Sequence, residues 1–260
     1  MDEWLEFATR LAEEAGSRLL EAHGSVTRET VGYKGWRNLV TDLDLEVERL
    51  VIERIEARFP DHGILAEEGS RKDGTSGLRW VIDPLDGTTN YVHHHPMYCV
   101  SIALEDGDGP LVGVVFAPYL KELFTAARGR GAWLNRTTRL AVSTEDDLAR
   151  SLLASGFAYR VDGSHDVNLD NWARLARISR GLRRCGSAAL DLAYVADGRY
   201  DGFWELNLNP WDVAAGALLV HEAGGRVTDC IGGGGWREGR SILATNGSIH
   251  EALKNELSLG

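Results

Sequence analysis

Apolar residues recur at helical spacing from the start of the chain. Trp4, Ala8, Leu11, Ala15 and Leu19 share one stripe, which predicts an amphipathic helix over residues 3–22. A second stripe of Leu43, Val47, Leu50, Val51 and Ile55 predicts a helix from about Thr41 to Phe59-Pro60. Its opening TDLD offers a Thr N-cap followed by an acidic residue at the capping-box position. After Gly63 the period shortens. The runs ILAEE, RWVID, YCVSIALED, GPLVGVVFAP and LFTAARG are β-rich and separated by Gly, Pro or Asp, so they predict neighbouring strands. LVGVVFAPYLKELFTA predicts a hairpin around Pro118-Tyr119.

The looser stretch RLAVSTEDDLARS predicts a connector. Beyond it SLLASGF predicts a strand and DNWARLARISRGL a helix. CGSAALDLAYVADG predicts a helix ended by Gly198, DGFWELN a strand, WDVAAGALLVHEAGG a helix closed by Gly224-Gly225, and SILATN a last strand. Strand and helix alternate here as in a layered α/β unit. The division expected is an N-terminal α+β half over residues 1–145 and a C-terminal α/β half over residues 146–260.

Composition narrows the partners. The chain has 260 residues, 43% hydrophobic and 26% charged, which suits a globular protein with a real core. Its formal net charge of −11 argues against coating nucleic acid or an anionic membrane. An anionic ligand would therefore need positive charge from elsewhere, and a divalent metal is the obvious source. The three cysteines, Cys99, Cys185 and Cys230, show no CxxC spacing and read as free packing thiols. The opening segment has neither a basic n-region nor an apolar span, so a cytoplasmic protein is expected.

The string WVIDPLDGTTN, residues 80–90, concentrates the chemistry. An apolar strand is expected to end at Asp83, with Pro84 stiffening the turn and Asp86-Gly87 turning it again. Two carboxylates on such a turn can converge on one hard cation, with the Leu85 carbonyl between them as a further oxygen. Backbone N–H groups of Gly87 and Thr88, opening a short helix, would face a phosphate oxygen. Asp-Pro and Asp-Gly are also plain turn formers. Other carboxylates shift the balance: Glu67-Glu68 at a strand end, Asp212 opening a helix as an N-cap, and Asp42 and Asp44 opening another. Each alone suits a solvated end or a cap. Together they place a carboxylate at the end of four separate elements.

The strings LVTDLD, ILAEEG, WVIDPLDGTTNYVHHHP, GSAALDLAYVADGRYDGFWE and PWDVAAGALLVHEAGG stand in one order across nearly the whole chain. In that order the sequence resembles the inositol monophosphatase family, within the lithium-sensitive, Mg²⁺-dependent phosphatases that include fructose-1,6-bisphosphatases. The resemblance implies an α+β, layered αβαβα sugar-phosphatase fold and a homodimer. It implies hydrolysis of a small phosphate monoester of a polyol or sugar, inositol-1-phosphate first. Fructose-1,6-bisphosphate and histidinol phosphate are alternatives, and a regulatory binding protein retaining the fold is an alternative of another class.

The roles carried over are implied by the resemblance alone. Glu67, Asp83 and the Leu85 carbonyl would hold a first Mg²⁺, and Asp83, Asp86 and Asp212 a second. A third, weaker ion would rest on Glu67 and water. Thr88 paired with Asp44 would orient and help deprotonate the attacking water. The Gly87 and Thr88 amides would bind phosphate, while Asp86, Gly186, Ser187, Ala188 and Glu205 would contact the alcohol portion. Asp212 borders both sets, and Lys34 falls in a mobile loop over the site. Glu205, seven residues before Asp212, matches the inositol-phosphatase arrangement.

Other features read as structural. His93-His94-His95 predicts a surface turn, because consecutive positions do not share a helix face. Trp4, Trp80, Trp133 and Trp204 fall in apolar patterns and are expected in the core, and Trp36 lies in the loop with Lys34. Arg183-Arg184 reads as a solvated end, Cys185 as no nucleophile, and Gly232–Gly235 as a flexible turn.

Overall fold

Both N-terminal helices form: α1 (Asp2–Ala22) and α2 (Asp42–Arg58), with a small ladder between them, β1 (Gly32–Tyr33) and β2 (Leu39–Val40). The structure, a computed structural model, describes residues 1–24, 32–33, 39–40, 42–157, 167–238 and 240–258. Thr41, Lys34 and Trp36 lie outside the described residues, so the expected Thr cap and loop lysine fall there too. The elements that follow are β3 (Gly63–Ala66), β4 (Arg71–Lys72), β5 (Arg79–Asp86), α3 (Thr88–Val92), β6 (Cys99–Asp106), β7 (Gly109–Ala117), β8 (Glu122–Ala127), β9 (Ala132–Leu134) and β10 (Thr138–Arg139). Their strands make one eight-stranded sheet in the order β10-β9-β8-β7-β6-β5-β3-β4. It is antiparallel except where β3 and β5 run side by side. The expected hairpin is β7–β8, with Ala117 opposite Glu122 across Pro118-Tyr119.

Beyond the connector come β11 (Leu152–Ser155), α4 (Val167–Ile178), β12 (Gly181–Arg183), α5 (Ala188–Ala196), β13 (Gly202–Leu206), α6 (Pro210–Glu222), β14 (Arg226–Thr228), β15 (Ser241–Thr245) and α7 (His250–Asn255). Five strands form a second sheet, ordered β12-β11-β13-β15-β14. The helix expected over DNWARLARISRGL stops at Ile178, and its GL tail belongs instead to β12 beside β11.

The central strands show why the layers stack as they do. Along β5, Trp80 and Ile82 pack with α1 and α2, while Val81 packs with α5 and α6. Along β6, Val100, Ile102 and Leu104 face the first group, and Cys99 and Ala103 the second. Alternation with both faces covered produces the near-continuous apolar runs in the sequence. α5 and α6 fill the space between the two sheets, and α4 and α7 cover the far face of the second sheet with Leu175, Ile249 and Leu253 against Leu153, Trp204 and Leu243. The result is the expected αβαβα stack. Of the tryptophans expected in the core, Trp80 and Trp204 are fully buried, whereas Trp4 and Trp133 are half-buried.

α6 is apolar and small around most of its circumference, as a helix enclosed on all sides must be. Gly113 on β7 lets it approach: a Cβ there would lie 2.9 Å from the Ala215 carbonyl oxygen. Gly216 does the same toward α5, where a Cβ would meet Leu192 Cβ at 2.5 Å. Glycine spacing thus sets how deep the start of α6 sits. Among the described residues no helix is long and apolar enough to cross a membrane.

Candidate active site

The strand end expected at Asp83 is displaced. β5 continues to Asp86, with its register against β6 shifting between the two aspartates. Pro84 lacks the N–H that regular pairing needs, which explains the irregularity. Asp83 is 1% exposed and falls, by alternation with Val81, on the side facing α6. Its Oδ1 accepts the Leu85 N–H at 3.0 Å, so the carboxylate braces its own turn. Gly87 then adopts a left-handed conformation (φ 95°) that starts α3 at Thr88, as expected.

Three other elements bring carboxylates to this point. Asp86 Oδ2 accepts the Ser187 hydroxyl at 2.7 Å and the Ala189 N–H at 2.8 Å, which ties the β5 turn to the start of α5. Asp212 is the third helical residue of α6 and not its cap; Asn209 is the cap, and its N–H donates to Asp212 Oδ2 at 2.6 Å. Pro210 occupies the first helical position, where a missing N–H costs nothing. Glu67 follows β3, and its neighbour Glu68 is pinned by Glu48 on α2: the Glu48 carboxylate accepts the Glu68 N–H at 2.7 Å and the Ser70 N–H at 3.2 Å. Glu48, 3% exposed, is a supporting residue that its helix pattern gave no reason to single out.

Electrostatics set this cluster apart from ordinary caps. Burial, reinforced by the negative charges of Glu67, Asp86 and Asp212, pushes the Asp83 carboxyl well above its usual range. Burial pushes Asp86 up to about 6 against the lowering effect of its Ser187 and Ala189 hydrogen bonds. Asp212 is raised by burial and by Asp86. Asp83, Asp86 and Asp212 accept from neutral donors, and Asp83 also shares a hydrogen bond with the Glu67 carboxyl. Such a cluster of hard oxygens suits a hard divalent cation. Among the described residues, no three acidic, His or Cys side chains are closed around one point.

Thr88 Oγ1 donates toward Asp44 Oδ1 at 3.1 Å and toward the Leu85 carbonyl at 3.2 Å. Asp44 is 1% exposed on the first turn of α2. The residues expected near the alcohol meet these carboxylates in a cleft of about 110 Å³, which Glu67, Asp86, Gly186, Ser187, Glu205 and Asp212 help to line. Ala188 lines it as well. Glu205, on β13, is raised by burial and by the nearby Asp191, Asp212 and Asp86. Gly156 is needed beside it, since a Cβ there would strike the Glu205 carboxylate. The Gly186 turn is held by Asn90, whose amide donates to the Cys185 carbonyl at 2.7 Å.

The structure also brings in residues that were passed over. Arg184 lines the cleft while exposed at the solvated strand end expected of Arg183-Arg184. Asp191, from α5, lines it too. Cys185 is pushed up to about 11 by burial, which fits a thiol with no nucleophilic role. His93, His94 and His95 are exposed in a turn, as expected. A wider groove of about 340 Å³ runs past Glu13, Ser17 and Phe116 but gathers no comparable acidic cluster.

Comparison with known proteins extends over the same span. The model of the inositol monophosphatase family matches residues 1–258. The inositol-1-monophosphatase of Synechocystis is 46% identical over 98% of this chain and 88% of its own length. The Nus factor SuhB of Escherichia coli is 41% identical over 99% of this chain and 98% of its own. Among solved structures, the extragenic suppressor protein suhB from Bartonella henselae superposes with a TM-score of 0.93 at 39% identity, covering 99% of both chains.

Proposed function

This chain belongs to the inositol monophosphatase family, and from that premise we propose that it is a divalent-cation-dependent phosphatase acting on a small phosphate monoester, inositol-1-phosphate first. The observation that carries the reading is the gathering of Glu67, Asp86 and Asp212 in one cleft, with Asp83 buried behind them and hydrogen-bonded to Glu67. A fold has little reason to bury these charges together unless something positive joins them.

In this reading Glu67, Asp83, Asp86, Asp212 and the Leu85 carbonyl hold two or three Mg²⁺ ions. Bound cations supply charge against the phosphate and acidity to an attacking water. The chain's own groups do the rest. Thr88 Oγ1 takes up the water's proton as its own passes to Asp44 Oδ1, along the hydrogen bond it already makes. The N–H groups at Gly87 and Thr88 hold phosphate oxygens where α3 begins. Ser187 and Ala189 fix the Asp86 carboxylate, so the cation side of the site cannot drift from the alcohol side. Glu205 accepts a hydroxyl of the leaving alcohol from the opposite wall. We read the active form as a homodimer.

The name Nus factor carried by the Escherichia coli relative raises a binding role as a second reading. The retained acidic cluster and the net charge of −11 favour hydrolysis. The test is phosphate release in Mg²⁺, with and without lithium, from inositol-1-phosphate, fructose-1,6-bisphosphate, histidinol phosphate and 3′-phosphoadenosine-5′-phosphate. Preferential turnover of inositol-1-phosphate, abolished by chelator, supports the proposal. No turnover of any of them by cation-loaded protein would sink it and leave the binding role standing.

A further inference from the structure

Asp191 is an unexpected residue at its place in the fold. It is 1% exposed on α5, a nine-residue helix in which every residue is buried and every other residue is apolar. Burying a carboxylate costs several kcal/mol unless donors satisfy it, and Leu or Met would fill such a position at no such cost. Yet its Oδ1 has no hydrogen-bond partner among the described residues. The carboxylate does accept a hydrogen bond from the Cys185 thiol, itself 3.1 Å from the Tyr200 hydroxyl, and the Arg184 guanidinium stands farther off. Asp191 lines the same cleft as Asp86 and Glu205, with its Oδ1 held just beneath the surface of the free cleft. An unsatisfied buried acceptor on a cleft-lining residue is a position where a donor would be welcome.

Building on the phosphatase reading, we infer that Asp191 is a specificity-determining residue whose Oδ1 accepts an O–H of the leaving alcohol, alongside Glu205. Two acceptors on one cleft wall select an alcohol carrying at least two hydroxyls besides its ester oxygen. A single acceptor would serve a simple alcohol as well. Asp191 and Glu205 also oppose a second phosphate, because the one cationic side chain lining the cleft among the described residues is Arg184.

The test compares two esters on the full chain in Mg²⁺: inositol-1-phosphate, and 4-nitrophenyl phosphate, whose leaving group has no spare hydroxyl. For Asp191→Leu, and again for Asp191→Ala, neither of which offers an acceptor, the ratio of kcat/KM between polyol and aryl ester should fall roughly tenfold, mostly through KM. An unshifted ratio, whether both activities persist or both fall together, overturns the assignment, since a merely structural role lowers both alike. If the unaltered chain releases phosphate from neither ester, the phosphatase reading itself has failed and the inference falls with it. Turnover by the unaltered chain with an unshifted ratio removes Asp191 alone.

Discussion

The Thr88 hydroxyl lies 3.1 Å from Asp44 Oδ1, so the first residue of one short helix donates to the first turn of another. Removing the hydroxyl removes the proton path. Thr88→Ala is expected to lower kcat by about 10²–10⁴-fold, the usual weight of a positioned proton-transfer group. Thr88→Ser should keep most of the rate, and Asp44→Asn should behave like the alanine variant. Steady-state phosphate release distinguishes these outcomes.

Asp83→Asn and Asp212→Asn should abolish nearly all phosphate release. The same substitutions remove buried charge from a crowded cluster, so in chelator their melting temperatures should equal or exceed that of the unaltered chain. Inactive and no less stable is the expected pair. A large drop in melting temperature would instead mark these carboxylates as structural.

Asp86 carries a pH dependence with a definite sign. Its folded pKa is raised to about 6 from a usual 3.8, so the folded state binds more protons than the unfolded state between those values. Stability of the metal-free chain is therefore lost as pH rises through that window. A cation that neutralises the cluster recovers the loss. The rise in melting temperature on adding Mg²⁺ should be several degrees larger at pH 7.5 than at pH 5, measured by calorimetry.

His250 works in the opposite direction. It is fully buried between the Thr228 and Thr245 hydroxyls, at 3.0 and 2.9 Å, and burial lowers its pKa to about 4. Its neutral form therefore contributes stability that is present above the ordinary value of 6.5 and lost as pH falls toward 4. His250→Gln should give a shallower fall in melting temperature between pH 6.5 and 4.5 than the unaltered chain.

Gly113→Ala should destabilise the protein by about 1–3 kcal/mol, because the new methyl group meets the backbone of α6 and not a movable side chain. Displacing α6 also displaces Asp212 at its start, so cation affinity should weaken in the same variant. Chemical denaturation and a Mg²⁺ titration check the two effects.

The sequence was legible where period and punctuation agreed. α1, α2 and α6 carry stripes or runs of full length bounded by Gly or Pro, and the alternating strands of the first sheet are separated by turn residues. The carboxylates at element ends were legible for the same reason. Asp212 was assigned the wrong helical position because an Asp near a helix start reads equally well as cap or third residue; only the Asn209 backbone bond decides. Short elements stayed hidden: α7 has six residues and β14 three, too few for a period to register. Glu48 and Asp191 stayed hidden because a carboxylate on a helix ordinarily faces water. What buries each is the packing of a distant element, which no local pattern encodes.

The five-stranded sheet has its strands out of chain order, with β15 inserted between β13 and β14. Glu205 sits on β13, directly opposite Ile242 of β15. During synthesis, every residue assigned to the cleft leaves the ribosome before the strand that seats Glu205. Until residues 241–245 arrive, a nascent chain carries all the chemical groups while β13 is held on one side only, by β11. Cutting the chain just before Ser241 would leave every cleft residue in the chain and remove half of the strand pairing that holds Glu205.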